Sequence, residues 1–153
     1  MTEEFNPLAL ENQLCFPLYA CARKVVGMYT PFFKPLGITY TQYIVFMVLW
    51  EQDGVSVHEL GERLYLDSGT LTPLLKKMES AGYVRRERSK DDERVTIIYL
   101  TEEGRAMREK CESIPMQLGK CMPMELEEAM QLRALLRKLL AADACSINPE
   151  EAK

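Results

Sequence analysis

Cys15, one of five cysteines in the chain, is the residue whose type and position could do chemistry. Pro17 follows two positions later, and a helix tolerates proline only in its first turn, so the spacing predicts that a regular helix begins near Leu14 or Cys15. A thiol at that end faces unpaired backbone N–H groups and the positive end of the helix dipole, which favour the thiolate. A reachable thiolate can attack a peroxide and become a sulfenic acid, so Cys15 is a candidate redox sensor.

The remaining cysteines are Cys21, Cys111, Cys121 and Cys145. They form no C-x-x-C pair and the chain has one histidine, His58, so neither a zinc site nor another cofactor is expected. Cys21 lies about 240° round the helix from Cys15, so those two cannot bridge within it. Cys145, near the chain end, is most simply an incidental thiol. An inert packing role, common for a lone cysteine on an apolar helix, stays open for Cys15.

The segment from Ser56 to Thr101 is predicted to form a winged helix-turn-helix around which the other elements are arranged. Ser56 and Glu59 have the spacing of a capping box, and apolar residues follow at helical spacing. A short turn leads to a second helix that opens around Asp67, and Gly82 is placed to end it. Two short helices joined by a tight turn, the second with a polar outer face, are typical of a DNA-reading unit.

Two β-prone runs, Tyr83–Arg88 and Arg94–Leu100, predict a hairpin with a polar loop between them. An isolated charged hairpin is usually just solvated, but directly after a helix-turn-helix it is typical of a wing whose cations lie against phosphates. Double-stranded DNA is therefore the expected partner. The predicted DNA contacts are Ser68, Thr70, Thr72, Lys76, Lys77, Arg86, Arg88 and Arg94.

Bulk properties limit the classes of protein that fit. The net charge of −4 over 153 residues argues against general coating of nucleic acid, so DNA affinity must come from local placement of cations. The beginning of the chain lacks the pattern of a signal peptide, and the longest apolar run, Tyr43 to Trp50, is far too short to span a bilayer. An odd number of cysteines without close pairing is typical of free thiols in a reducing compartment, so we expect a cytoplasmic protein.

Apolar helical stripes flank the central segment on both sides. One runs from Leu10 to Phe33, and the other begins at a cap on Thr101, breaks at Ile114–Pro115 and resumes from about Met124 to Ala142. A chain this small offers these stripes too few partners, which favours a homodimer interface over packing within one chain. The expected fold is mainly α with a small β-hairpin wing. The expected organisation is a single domain, 1–153, with the winged helix-turn-helix at about 55–101 and dimerisation helices at about 10–34 and 102–143.

Two motifs carry a family resemblance. Asp92-Glu93-Arg94, followed by Leu100-Thr101 and Gly104, resembles the D-x-R-x5-L-T-x-x-G signature of the multiple-antibiotic-resistance regulator (MarR) family. The run Leu64–Met78 is similar to the branch that senses organic hydroperoxides, the OhrR-type repressors. The resemblance implies a homodimeric repressor with its second helix in the major groove and Arg94 in the minor groove. A symmetric dimer of this kind is expected to bind an inverted-repeat operator.

The resemblance also extends to the cysteines and tyrosines. Leu14-Cys-Phe-Pro-Leu-Tyr19 resembles the reactive-cysteine segment of that branch, although the residue after the phenylalanine is more usually small. It implies that Tyr29 and Tyr40 hydrogen-bond the sensing sulfur, and Tyr19 is a further candidate.

Some family members use a second, resolving cysteine, whereas others use a small thiol. Cys121 is the predicted resolving residue because it lies beyond the Pro115 break, between Gly119 and Pro123, and Cys111 is the runner-up.

Three functions remain open on the sequence. The first is a repressor that senses organic hydroperoxides through Cys15, releases its operator and derepresses peroxide-resistance genes. The second is a regulator of the same fold that is released by a small aromatic ligand, with the cysteines not involved. The third, a thiol peroxidase, is the weakest because no second catalytic group pairs with Cys15, so we expect a protein that is not an enzyme.

Overall fold

The computed structural model describes residues 6–142. Their helices are α1 Cys15–Met28, α2 Thr30–Leu36, α3 Tyr40–Glu51, α4 Val57–Leu64, α5 Ser68–Ser80, α6 Glu102–Cys111, α7 Ile114–Gly119 and α8 Leu126–Leu140. Their strands are β1 Val55–Ser56, β2 Val84–Arg88 and β3 Thr96–Leu100, which form one antiparallel sheet in the order β1-β3-β2. The expected class, mainly α with a small β wing, is confirmed. The chain forms two compact units, Met1–Leu118 and Gly119–Lys153.

The N-terminal region is not the single helix that periodicity predicted. A 3-10 turn, Leu10–Asn12, precedes α1, and a break at Tyr29 separates α1 from α2. Pro31 causes the break to fall there, because it has no N–H for α1 to use but fits the first turn of a new helix. The start of α1 at Cys15 confirms the position predicted from Pro17.

The buried core lies between α3 and the helix-turn-helix. Thr39 and Gln42 form a capping box at the start of α3, and most of the apolar side chains of that helix are buried. Phe46 and Leu49 of α3 lie in one cluster with apolar side chains of α4, α5 and the sheet. The fully buried members from those elements are Val55, Leu60, Leu71, Leu75, Met78, Val84 and Ile98.

The helix-turn-helix forms where the capping residues predicted it. The Ser56 hydroxyl accepts from the Glu59 N–H at 3.1 Å, although only this half of the predicted capping box is present. The carboxylate of Asp67 caps α5, and Gly82 at φ +79° ends it. The N–H of Gly82 donates to the carbonyl of Glu79 at 2.9 Å, so the last turn of α5 is closed before β2 begins.

The wing joins α6 through a tightly packed junction. Thr101 caps α6 by accepting from the Gly104 N–H at 3.1 Å and donates to the Gly82 carbonyl at 2.6 Å. A Cβ at Gly104 would lie 2.1 Å from the carbonyl oxygen of Tyr83, so no other residue fits there without moving the backbone. The indole N–H of Trp50 donates to the Gly104 carbonyl at 3.0 Å, which ties α3 to the same point.

Asp53 forms a second tie between the wing and α6. Its Oδ1 accepts from the Leu100 N–H at 2.8 Å, and its Oδ2 pairs with the guanidinium of Arg105 at 2.5 Å. One carboxylate therefore holds the end of β3, the first turn of α6 and the loop after α3 together.

Two helices keep their apolar side chains on the surface. Neither α1 nor α8 contributes a buried residue, and Leu14 and Leu126 are 71% and 77% exposed. Among the described residues, no single helix is long and apolar enough to cross a membrane. The helices α2 and α3 reach that length and composition only when they are counted as one segment, and the chain bends by 77° between them.

Candidate DNA interface and thiol site

A groove of about 710 Å³ lies between the helix-turn-helix and the wing. Ser68 and Thr72 of α5 line one side of it, and Arg86 and Arg94 of the wing line the other. The fold thus brings these four predicted DNA contacts to one concave surface.

The outward face of α5 presents the other predicted contacts on that helix. Thr70, Lys76 and Lys77 are exposed, whereas Leu71, Leu75 and Met78 point into the core. The Thr70 hydroxyl donates to Asp67 Oδ2 at 2.9 Å, so it is left to act as an acceptor. Bonds from the Thr70 N–H and then from its hydroxyl lower the pKa of Asp67, which keeps a negative charge at the start of α5.

Two wing arginines differ in the freedom of their side chains. Arg94 is exposed in the loop between β2 and β3, and its backbone N–H donates to Asp92 Oδ1 at 2.9 Å. Arg88 instead donates from Nη1 to the Glu93 carbonyl at 3.1 Å and braces the loop. Arg94 is therefore the better placed of the two to enter a narrow groove.

The remaining wing arginines, Arg85 and Arg86, are consecutive residues of β2 and point to opposite faces of the strand. Arg86 lies beside Glu79 of α5 at 3.8 Å, and its buried Nε is without a hydrogen-bond partner among the described residues. Arg85 points to the opposite face, where its guanidinium lies 4.4 Å from the Tyr99 ring centroid and pairs with Glu87. Only Arg86 of these two lines the groove.

The residues predicted for the thiol site do not all lie together within one chain. Cys15 is the exposed first residue of α1, and Tyr19 is exposed one turn further along the same helix. Tyr29 caps the other end of α1, and fourteen residues at 1.5 Å each place it about 21 Å from Cys15. One chain brings Cys15 near Tyr19 but not near Tyr29 or Tyr40.

Tyr29 and Tyr40 lie together in an aromatic cluster. Their ring centroids are 4.9 Å apart, and Phe33 lies 5.1 Å from Tyr29. Burial, and then the charge of Tyr40, raises the pKa of Tyr29, and burial raises the pKa of Tyr43 to about 12. The hydroxyls of Tyr29 and Tyr43 are thus protonated near neutral pH and can act as hydrogen-bond donors. Periodicity marked Tyr43 only as a core residue.

The other cysteines occupy different environments. Cys21 is exposed on α1, and Cys121 is exposed in the turn between α7 and α8. Cys111 is buried at the end of α6, and this burial raises the pKa of its thiol. Cys145 lies outside the described residues. Within residues 6–142, no group of three or more potential ligand side chains could hold a metal ion.

Comparison with known proteins gives the family. A family model described as transcriptional regulator SarA/Rot matches residues 28–111. The chain is 45% identical over 140 residues to the organic hydroperoxide resistance transcriptional regulator of Bacillus subtilis (strain 168), covering 92% of this chain and 95% of that protein. It belongs to the MarR family, in the OhrR-type branch.

Solved structures agree with this MarR-family assignment. The structure of reduced AbfR bound to DNA matches with a TM-score of 0.73 and 38% identity, over 85% of this chain and 89% of that chain. The structure of disulfide-formed AbfR matches with a TM-score of 0.62 and 39% identity, over 86% of this chain and 92% of that chain. AbfR comes from Staphylococcus epidermidis. The MarR-type relatives are transcriptional regulators, so this protein is a regulator and not an enzyme.

The sequence did not single out two residues that lie beside the predicted site residues. Asp67 lines the groove as a charged cap, and the helix-capping pattern around Ser68 was the signal that pointed to it. Arg23 donates from Nη1 to the Tyr19 hydroxyl at 3.1 Å, and its spacing of four residues from Tyr19 could have revealed that contact.

Proposed function

We propose that this protein is a DNA-binding repressor that senses organic hydroperoxides by oxidation of Cys15 and then releases its operator. The release derepresses peroxide-resistance genes in the cytoplasm. The observation that carries the proposal is an exposed thiol on the first residue of α1, in a chain whose relatives include an organic hydroperoxide resistance regulator and AbfR, solved both bound to DNA and with a disulfide.

The active species is a homodimer. The exposed apolar faces of α1 and α8 support this, because stripes of that length are normally covered in a stable protein. A two-fold axis presents two copies of α5 and two wings to one face of a duplex. The dimer then binds an inverted repeat whose half-sites lie about one helical turn, roughly 10 bp, apart.

Each half-site is read by α5 in the major groove and by the wing in the minor groove. Ser68, Thr70, Thr72, Lys76 and Lys77 approach bases or phosphates from α5. Arg86 and Arg88 approach the backbone, and Arg94 enters the minor groove where an A·T-rich step narrows it. The groove shared by α5 and the wing supports this assignment, because both elements line one surface.

The thiol site is completed across the dimer. Since Cys15 lies about 21 Å from Tyr29 along its own helix, the Tyr29 and Tyr40 hydroxyls that act on its sulfur come from the partner subunit. An antiparallel approach of two α1 helices sets Cys15 of one protomer beside the partner's Tyr29. The close pairing of the Tyr29 and Tyr40 rings delivers both hydroxyls together.

Oxidation proceeds by attack of the Cys15 thiolate on the terminal oxygen of the hydroperoxide. The S–O bond forms as the O–O bond breaks, the thiolate becomes sulfenic acid, and the departing alkoxide takes a proton to leave as an alcohol. Apolar side chains such as Phe16, Leu18, Phe32 and Phe33 favour organic peroxides over hydrogen peroxide, because each buried CH₂ contributes roughly 0.8 kcal/mol.

A disulfide then converts a small chemical change into a large structural one. The sulfenic acid of Cys15 condenses with the partner's Cys121 and releases water, which draws two backbones to within about 7 Å. The exposure of Cys121 in a turn supports this choice, whereas the burial of Cys111 argues against the runner-up. A mixed disulfide with a small thiol is the alternative second step.

Non-reducing electrophoresis after cumene hydroperoxide tests the scheme. After oxidation, wild type is expected to run as a covalent dimer and to lose operator binding, whereas Cys15→Ser should run as a monomer and keep operator binding. Cys21→Ser is the matched control, because it removes another exposed thiol of α1, and it should cross-link normally. Cross-linking that persists in Cys121→Ser rejects the resolving residue, and peroxide release of Cys15→Ser from DNA rejects the sensor.

A second candidate function is release by a small aromatic ligand. A cavity of about 320 Å³ between α3, α6 and α7 favours it, with the rings of Tyr43 and Trp50 and the guanidinium of Arg108 among its lining groups. An aromatic carboxylate that released Cys15→Ser from its operator at micromolar concentration would support this function over the redox one.

A further inference from the structure

Tyr65 has a backbone conformation that its side chain disfavours. It lies in the left-handed region at φ 54° and ψ 40°, directly after α4. Every other described residue with a φ in that region is a glycine, which adopts it without strain. The turn needs this conformation, because the Leu66 N–H closes α4 by donating to the Gly61 carbonyl at 3.0 Å. A glycine or an asparagine would form the same turn with less strain, so the turn does not require a tyrosine.

The Tyr65 side chain also contributes little to packing. It is 65% exposed, whereas its neighbours Leu64 and Leu66 pack against the core. Its hydroxyl has no hydrogen-bond partner among the residues that the structure describes. A strained residue whose ring is exposed and whose hydroxyl is unused in the fold indicates a role in binding.

Tyr65 lines the groove between the helix-turn-helix and the wing, together with Ser68, Arg86 and Arg94. In the proposed complex, α5 enters the major groove of the duplex and Arg94 enters the minor groove. One sugar-phosphate strand separates those two grooves of the duplex. That strand must therefore cross the protein surface between α5 and the wing, which is the surface that Tyr65 lines.

We propose that the Tyr65 hydroxyl is a DNA contact that donates a hydrogen bond to a phosphate of this strand. The inference rests on the proposed binding of DNA by α5 and the wing. Tyrosine hydroxyls are among the groups that donate to phosphate oxygens, and such contacts hold a protein in register without reading sequence. Glu62 and Asp67 also line the groove. A neutral hydroxyl, unlike a lysine, forms no ion pair with these carboxylates that a phosphate would have to break.

Fluorescence anisotropy of the reduced protein on an A·T-rich inverted repeat and on a random duplex tests the contact. Tyr65→Phe removes only the hydroxyl and keeps the ring. It should lower affinity for both duplexes about three- to tenfold, the range of one hydrogen bond, because every sequence carries the phosphate. Its salt dependence should equal that of wild type, since a neutral donor displaces no counterion. Lys76→Ala, which removes a cation from α5, should instead lower the slope of log affinity against log salt by about one.

Two further variants separate the contact from the fold. Asparagine tolerates the left-handed conformation, so Tyr65→Asn should melt about 2–4 °C above wild type while it binds both duplexes less tightly. Tyr99→Phe is the matched control, because it removes a phenolic hydroxyl from the wing face away from the groove and keeps the ring beneath Arg85. It should bind both duplexes as wild type does.

Wild-type affinity in Tyr65→Phe overturns the contact, even if Tyr65→Asn binds weakly, because the ring and not the hydroxyl would then matter. An equal loss in Tyr99→Phe, or a Tyr65→Asn protein that melts below wild type, overturns it too. In each of these cases wild type still binds DNA, so the proposed repressor function stands. A wild-type protein that bound neither duplex would reject that function and the contact together.

Discussion

Replacing Arg94 by alanine should weaken operator binding without changing the fold. Its side chain is exposed, and the bonds that hold the loop do not use that side chain: the Arg94 N–H donates to Asp92 Oδ1 and the Val95 N–H donates to the Asp92 carbonyl. Loss of the arginine that is proposed to enter the minor groove should weaken specific binding by about 1–3 kcal/mol, which lowers affinity by about 5- to 150-fold. An Arg94→Ala protein that keeps its fold but loses this much operator affinity would identify the wing as a DNA-binding element.

Arg85→Ala is the matched control for this change. It removes the same unit charge from the same hairpin, but its guanidinium lies over Tyr99 on the face away from the groove. Long-range attraction to the duplex falls equally in both variants, so their difference isolates the contact that Arg94 makes. That difference should persist as salt is raised, because only the long-range part is screened.

The assay is fluorescence anisotropy of the reduced protein on an A·T-rich inverted repeat and on a random duplex, at several salt concentrations. Arg94→Ala should lose affinity for the inverted repeat by more than it loses for the random duplex, and Arg85→Ala should lose little on either. Wild-type operator affinity in Arg94→Ala, or an equal loss in Arg85→Ala, would refute the placement of the wing.

Three further outcomes follow from the structure. Light scattering at micromolar concentration should return twice the mass of one chain, and a monomer would contradict the use of α1 and α8 as an interface. Gly104→Ala should lower the free energy of unfolding by about 1–3 kcal/mol, because the new Cβ clashes with the Tyr83 backbone. Gly119→Ala, whose Cβ would meet no atom within 4 Å, should leave the free energy of unfolding unchanged or raise it by up to about 1 kcal/mol. Equal melting temperatures for the two variants would contradict the tight packing at Gly104. Since the folded pKa of Tyr43 is about 12 against an ordinary 10.0, its contribution to stability should be complete below pH 10 and fall as pH rises toward 12; urea midpoints should decline over this range, and the decline should be smaller in Tyr43→Phe.

Local signals predicted those parts of the fold that depend on few residues. Ser56, Asp67 and Thr101 cap helices where their types and spacing indicated, because a cap is satisfied within one turn. Gly82 ends α5 for a similar reason, because glycine adopts the positive φ of that position without strain. The capping box that Glu125 forms with Glu128 was missed, because glutamate is not a preferred residue at that position.

Other parts depend on contacts that no local pattern contains. The strand β1 is only two residues long, and it exists because Val55 and Ser56 pair with Ile98 and Ile97, more than forty positions later. The break between α1 and α2 was hidden by an apolar period that continues across Tyr29. The tyrosines predicted to act on Cys15 could be named by resemblance, but the distance that α1 sets between Cys15 and Tyr29 is a property of the folded chain.

The junction between β3 and α6 determines where this chain can change length. Thr101 alone separates the strand from the helix, and Gly104 packs against the Tyr83 backbone. Asp53 accepts hydrogen bonds from Leu100 at the end of β3 and from Arg105 in the first turn of α6. An inserted residue there would rotate α6 by about 100° and bury a side chain where only glycine fits. The bonds of the loop at 89–95 stay within the hairpin, so a change of length at the wing tip would leave the step between β3 and α6 in place.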